Sequence, residues 1–314
     1  MSFSSEVKEE LAKIINSSRH CQLAELAAII CFYGKVENDG IEEKRLCLQT
    51  ENEALIRKVF TLLKKTFNID TDIVQESIAG ECRSHTYITL LYGTKAVDKV
   101  LQAVKMYDEK GIEEAQMNGV NPLLIKSACC KRAFLRGVFL CTGSMSDPEK
   151  SYHLEFVCSH EEQAEYLQAL IQSFQVEAKI VIRKKYYVVY LKEGAGIVDL
   201  LNVMEAHVSL MNFENYRIIK EMRNSINRKV NCETANITKT VNASSKQIED
   251  ILLIKERYGF MNLPDSIREA AEIRLEYPDA TLKELGQILD PPVGKSGMNH
   301  RLRKLSELAD RLRS

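Results

Sequence analysis

The residues best suited to chemistry lie near the end of the chain, in Lys295-Ser-Gly-Met-Asn-His-Arg-Leu-Arg-Lys304. Met298, Leu302, Leu305 and Leu308 recur at helical spacing and would face a core, with Ser296 as the cap that opens the helix. Lys295, Ser296 and Gly297 stand at its start, and Asn299, His300, Arg301, Arg303 and Lys304 face solvent. A carboxamide can bridge the N6 and N7 edge of adenine, and a guanidinium can take guanine or a phosphate, so this helix has the chemistry of a duplex-DNA reader. Just upstream, Thr281-Leu-Lys-Glu284 has the Ser/Thr-x-x-Glu form of a capping box and opens a shorter helix, with Leu282, Leu285, Ile288 and Leu289 inward. The turn Asp290-Pro-Pro-Val-Gly294 makes the whole a helix-turn-helix over 281–314, in which Thr281 and Lys283 join the expected DNA contacts. At roughly six residues that turn is longer than the usual three or four. The competing structural reading is a small helical bundle whose charged face is merely solvated.

Other candidate groups are thin. His20 beside Cys21, and the pair Cys129-Cys130, lack the Cys-x-x-Cys spacing of a zinc site and read as buried packing. His153, His160 and His207 are isolated and read as surface or capping residues, and no Gly-rich phosphate loop occurs. No metal or cofactor is therefore expected. The nine cysteines are odd in number and unpaired by spacing, and the N-terminus has neither a basic start nor an apolar core, so a reduced cytoplasmic setting is expected. No apolar run reaches 18 residues, which argues against a membrane span.

These residues need a scaffold, and the scaffold is duplicated. Glu25-Leu-Ala-Ala-Ile-Ile-Cys-Phe-Tyr-Gly34 and Phe134-Leu-Arg-Gly-Val-Phe-Leu-Cys-Thr-Gly143 are apolar nearly all round. Ala24, Ala27 and Ala28 in one, and Ala133, Gly137 and Cys141 in the other, would let two helix backbones approach closely. Gly34 and Gly143 are read as helix ends in the left-handed conformation. Sixteen residues beyond each glycine stands a capping-box sequence, Thr50-Glu-Asn-Glu53 and Ser159-His-Glu-Glu162. Between glycine and box the first half is read as a loop followed by the alternating run Arg45-Leu-Cys-Leu-Gln49. Each half then continues as helix, two strands and helix.

The fold class is accordingly α+β, with a pseudo-symmetric domain over 1–212 (halves 1–108 and 122–212, joined through 109–121) and an all-α helix-turn-helix domain over 244–314. Residues 213–243 are read as a linker, because 227–240 is polar and shows no sustained period; Arg228, Lys229 and Lys239 within it are candidate DNA contacts. The net charge of -1 hides a division: residues 1–214 hold 25 Lys/Arg against 30 Asp/Glu, and residues 215–314 hold 18 against 14. A basic C-terminal part can attract a polyanion whatever the total charge. The acidic part is better suited to a protein partner.

The paired helices resemble those of the LAGLIDADG homing endonucleases, through Leu26-Ala-Ala-Ile-Ile-Cys-Phe-Tyr-Gly34 and Leu135-Arg-Gly-Val-Phe-Leu-Cys-Thr-Gly143. That resemblance implies a saddle-shaped domain, with an acidic residue before each last glycine to bind the divalent metal that activates water. Here Tyr33 and Thr142 hold those positions, so catalysis is not expected. A nuclease with its acids relocated to Asp39 and Asp147 stays open as an alternative, as does a protein-binding scaffold. Together with Cys129-Cys-Lys-Arg-Ala-Phe-Leu-Arg-Gly137, Gly143-Ser-Met-Ser-Asp-Pro148, Asn227-Arg-Lys-Val-Asn-Cys-Glu-Thr-Ala-Asn236 and the Lys295–Lys304 stretch, the whole chain resembles the bacterial WhiA family. The resemblance implies a cytoplasmic, nucleoid-associated transcriptional regulator of cell division, chromosome segregation and sporulation. Its implied partner is double-stranded DNA, and the acidic balance of residues 1–214 leaves room for a regulatory protein partner through the LAGLIDADG-like domain.

Overall fold

Ser2 is extended, and its hydroxyl accepts a hydrogen bond from the Ser5 amide, which caps α1 (Phe3–Lys13). The computed structural model describes residues 2–38, 44–77, 85–106 and 120–313. Most of the join expected over 109–121, and Asp39 with its neighbouring turn, lie outside the described residues. The first half continues with α2 (Arg19–Tyr33), β1 (Gly34–Asn38), β2 (Lys44–Thr50), α3 (Glu53–Phe67), β3 (Asp72–Ser77), β4 (His85–Tyr92) and α4 (Thr94–Ala103). The second repeats it with α5 (Ala128–Thr142), β5 (Gly143–Met145), β6 (Leu154–Cys158), α6 (Glu161–Gln172), β7 (Lys179–Arg183), β8 (Tyr186–Leu191) and α7 (Gly194–Met204). Both sheets are antiparallel with one topology, β1-β2-β4-β3 and β5-β6-β8-β7. The duplicated α+β domain is therefore present.

Neither expected capping box forms. Thr50 is committed to the ladder opposite Tyr87, so Asn52 caps α3 instead, accepting from the amides of Ala54 and Leu55 at 3.0 and 3.4 Å. Likewise α6 begins after His160, with no side-chain cap from Ser159. The stretch after Gly34, expected as a loop, is β1 paired with β2.

Gly34 and Gly143 are not left-handed: their φ values are -71° and -73°, ordinary extended backbone. Their glycine character comes from crowding. A Cβ on Gly34 would sit 2.6 Å from the Ile30 carbonyl oxygen, and one on Gly143 would strike the Phe139 ring. Each glycine thus lets the chain turn from helix directly into strand against the helix's own last turn.

The central helices α2 and α5 pack through their small residues, as their spacing predicts. A Cβ on Gly137 would lie 2.7 Å from both the Ala28 methyl and the Glu25 carbonyl oxygen, which are backbone and short side chain with nowhere to move. Gly137→Ala should destabilise the first domain by about 1–3 kcal/mol through overpacking. Urea unfolding of the variant checks this, and an unchanged midpoint would show that the helices can separate freely.

The region expected as a linker is helical. One helix, α8 (His207–Arg257), runs through 213–243, and its start is capped by Glu10, whose carboxylate accepts from the amides of Val208 and Ser209 at 2.8 Å. The apparent lack of period reflects too short a window. Val208, Met211, Asn215, Ile219, Met222, Ile226, Val230, Glu233, Ile237 and Val241 follow 3-4-4 spacing, an 11-residue repeat that keeps to one side of an α-helix. Their apolar members are exposed, so composition alone resembles a polar connector.

Contacts divide the chain into two units, residues 1–220 and 221–314. In the second, the end of α8 joins α9 (Asp265–Glu276), α10 (Leu282–Ile288) and α11 (Lys295–Arg313). Their core includes Ile251, Ile254, Ile267, Leu285, Leu289, Met298, Leu302 and Leu305. Ser244 does not open a new helix; it lies inside α8 and donates its hydroxyl to the Pro278 carbonyl.

Candidate nucleic-acid interface

Three helices position the C-terminal polar residues. Arg274 on α9 is buried, and its Nη1 donates to the carbonyls of Ala280 at 2.7 Å and Pro278 at 3.3 Å, which holds the turn into α10. Thr281 then caps α10 with the expected reciprocal box. Its Oγ1 accepts from the Glu284 amide at 3.4 Å, and Glu284 Oε2 accepts from the Thr281 amide at 2.7 Å. The bond from Thr281 holds the Glu284 carboxyl below its ordinary range.

The turn between α10 and α11 is tied back at its middle. The Val293 amide donates to the Gly286 carbonyl at 2.8 Å, and a Cβ on Gly286 would collide with the Val293 carbonyl oxygen. The long Pro-rich turn is thus folded against α10, which is possible only with glycine at 286. Neither Arg274 nor Gly286 stands out in the sequence, since both act through carbonyls that the turn brings to them.

α11 starts at Lys295, so Ser296 is in its first turn and not its cap; Gly294 supplies the preceding carbonyl to the Met298 amide. The stripe Met298, Leu302 and Leu305 is buried as expected, whereas Leu308 is half-buried and Ala309 completes the face. Lys295, Ser296, Gly297, Asn299, His300, Arg303 and Lys304 are exposed, as are Thr281 and Lys283. Arg301 is different. It turns towards α9, where its Nη1 donates to the Ser266 carbonyl at 3.2 Å and lies 3.7 Å from Glu269. Arg303 pairs with Glu307 one turn on, at 3.0 Å. Arg228, Lys229 and Lys239 are exposed on α8.

At the far ends of the central helices, Tyr33 and Thr142 face two clefts of about 750 and 480 Å³, both of which Tyr33 lines. The Tyr33 hydroxyl donates to the Cys141 carbonyl at 2.6 Å, and burial pushes its pKa up to about 12. A neutral phenol committed to a carbonyl is a poor ligand for a hard cation. Thr142 gives its hydroxyl to Val138. Asp147 is occupied in its own turn, accepting from the Glu149 amide at 3.0 Å, and lines neither cleft. Among the described residues, no group of three or more His, Cys, Asp or Glu side chains converges near Tyr33 or Thr142.

His153 is not isolated: its Nε2 lies 2.9 Å from Glu155, and its ring stacks on Tyr190. His20, Cys21, Cys129 and Cys130 are not two separate buried pairs either, because the fold gathers all four at the opposite ends of α2 and α5.

Comparison with known proteins decides the family. The chain is 55% identical, over the full length of both proteins, to the "Probable cell division protein WhiA" of Lachnoclostridium phytofermentans. This chain belongs to the WhiA family. A second WhiA, from Alkaliphilus oremlandii, is 50% identical over 99% of this chain and 98% of its own. Three WhiA family models match in order: the WhiA N-terminal LAGLIDADG-like domain over 19–107, the WhiA LAGLIDADG-like domain over 131–223, and the WhiA C-terminal HTH domain over 226–309. The crystal structure of full-length DUF199/WhiA from Thermatoga maritima is similar, with TM-score 0.59 and 26% identity across 99% of both chains. In this WhiA chain the LAGLIDADG-like match ends at 223 and the HTH match begins at 226, both within α8, so the stretch read from sequence as a linker is divided between the two family domains. The LAGLIDADG-like halves keep the central helices, which end at Tyr33 and Thr142.

Proposed function

We propose that this chain is a non-enzymatic DNA-binding transcriptional regulator, with α11 docked in a major groove and α10 crossing the backbone. The observation that carries the reading is the start of α11. There Lys295, Asn299, His300 and Lys304 are exposed, and among the described residues their side chains make no hydrogen bond or ion pair within the chain. The first turn also presents amides not used within the helix, which suit a phosphate. Arg303 adds a cation whose partner, Glu307, is an exposed i,i+4 neighbour and exchanges readily for a phosphate.

The same reading gives the LAGLIDADG-like domain a non-catalytic role. Its central positions hold Tyr33 and Thr142, and its acidic balance suits a regulatory protein partner better than a duplex. The names of its relatives support a role in cell division, and the family resemblance extends this to chromosome segregation and sporulation in a cytoplasmic, nucleoid-associated protein. No helix among the described residues is long and apolar enough to cross a membrane.

Labelled genomic fragments incubated with the full-length protein and Mg²⁺ at low salt, then run on matched native and denaturing gels, test the reading. A shifted band with intact strands is expected. Cut strands would return the domain to the nucleases, and neither shift nor cut would make the helix-turn-helix a protein-binding module.

A further inference from the structure

Ser18-Arg-His-Cys21 and Ser127-Ala-Cys-Cys130 occupy equivalent positions in the two halves, separated by the same offset as Gly34 and Gly143. Each serine stands just before its central helix, and each pair lies on that helix's first turn. Because α2 and α5 pack side by side, the pairs converge. His20 Nδ1 is 3.1 Å from Cys130 Sγ and 3.3 Å from Cys21 Sγ, and the ligand atoms of His20, Cys21, Cys129 and Cys130 all lie within 4.8 Å of one another. Among the described residues this is the one group of three or more His, Cys, Asp or Glu side chains near enough to share a cation.

The dimensions suit one metal. Tetrahedral zinc, with bonds of about 2.3 Å to sulfur and about 2.0 Å to imidazole nitrogen, has ligand-to-ligand edges of roughly 3.5–3.8 Å. The cluster brackets those edges, so rotamer adjustment alone can close it. We propose that His20, Cys21, Cys129 and Cys130 bind one structural Zn²⁺ that clamps the first turns of the two central helices.

Three thiolates and an imidazole select a soft or borderline ion over Mg²⁺ or Ca²⁺, and four protein ligands leave no open position for catalysis. The surroundings stabilise the negative charge of such a centre. Two helices direct their positive ends at it, which suits an anionic centre. Ser127 makes no side-chain cap for α5; its hydroxyl donates to Cys130 Sγ at 3.0 Å and lies 3.3 Å from Cys129 Sγ. Outer hydrogen bonds of this kind orient and tune metal ligands. Cys21 and Cys130 are buried while His20 and Cys129 are exposed, so an ion can enter from solvent and finish within the fold.

The test uses untagged full-length protein, reduced and freed of metal, titrated with Zn²⁺ alone against a chromogenic chelator and with Co²⁺ alone by absorption spectroscopy. One equivalent of Zn²⁺, a tetrahedral Co²⁺ spectrum with sulfur charge-transfer bands, and a raised melting temperature on zinc addition are expected. Cys129→Ser is the informative variant, because Cys129 is exposed and outside the apolar cores. It should fold without metal as the parent does, yet lose more zinc affinity than the roughly 10–100-fold cost of deleting an outer partner of a metal ligand. Cys232→Ser, at an exposed cysteine on α8, should bind zinc like the parent. Failure of the reduced parent to take up a stoichiometric ion would overturn the site, as would full affinity in Cys129→Ser or lost affinity in Cys232→Ser.

Discussion

Replacing Glu25 with alanine is expected to destabilise the LAGLIDADG-like domain by about 3–5 kcal/mol, because it strands two buried cations. Glu25 on α2 has no solvent exposure, and its Oε1 lies 2.5 Å from Lys58 Nζ and 3.3 Å from Arg136 Nε. Arg136 reaches on to Glu205 at 2.5 Å, and Lys58 donates to the carbonyls of Leu11 and Ile14 at 2.7 and 2.9 Å, at the end of α1. One carboxylate therefore organises charges drawn from α2, α3 and α5. Without it, among the described residues, Lys58 keeps only carbonyl partners and Arg136 keeps only Glu205.

The loss should depend on pH. Burial lowers the Lys58 pKa from 10.5, and Glu25 opposes that shift. In Glu25→Ala the opposing charge is gone, so the folded state sheds the Lys58 proton at lower pH while the unfolded chain holds it up to 10.5. The unfolded state then binds more protons, and stability rises with pH across that interval. Urea unfolding at neutral and alkaline pH should show a deficit that shrinks as pH rises towards 10.5. A substitution deficit below about 1 kcal/mol at neutral pH would mean that water reaches Glu25, Lys58 and Arg136 and that these charges are not truly buried.

The second large effect concerns DNA. The combined substitution Lys295→Ala, Arg303→Ala and Lys304→Ala removes three exposed cations from the start and middle of α11. If all three neutralise phosphates, the slope of log K against log salt should flatten by about 2.7, and affinity near 0.1 M salt should fall roughly several-hundred-fold. Asn299→Ala should behave differently, losing about 1–3 kcal/mol on the preferred site while barely changing non-specific binding. Arg301 is the wrong residue for such a test, because its bond to Ser266 and its approach to Glu269 make its loss a change in how α11 sits on α9. Fluorescence anisotropy at several salt concentrations measures both quantities. An unchanged slope in the triple variant would remove α11 from the interface and direct attention to Arg228, Lys229 and Lys239 on α8.

What the sequence determined by itself was whatever repeats or closes within a few residues. The offset linking Gly34 to Gly143 announces the duplication, and the Thr281 and Glu284 pair announces its own cap, since both partners sit on one turn. The stripe of Met298, Leu302 and Leu305 marks the inner face of α11 for the same reason. Only the tertiary structure decided the rest. Thr50 could not serve as a cap once its backbone was paired with Tyr87. Gly34 and Gly143 are needed for contacts with Ile30 and Phe139, not for a left-handed turn, and helix identity in α8 became visible only over an 11-residue register. Arg301 faces inward because α9 offers it a carbonyl. The same holds most strongly for the two clusters that matter most to the first domain. Glu25 meets Arg136 across 111 positions, and His20 meets Cys130 across 110. Spacing rules detect ligands and ion pairs that share a turn or a hairpin. These partners become neighbours only when two helices from separate halves approach closely enough for their first turns and buried faces to touch, and that approach depends on the missing side chain of Gly137.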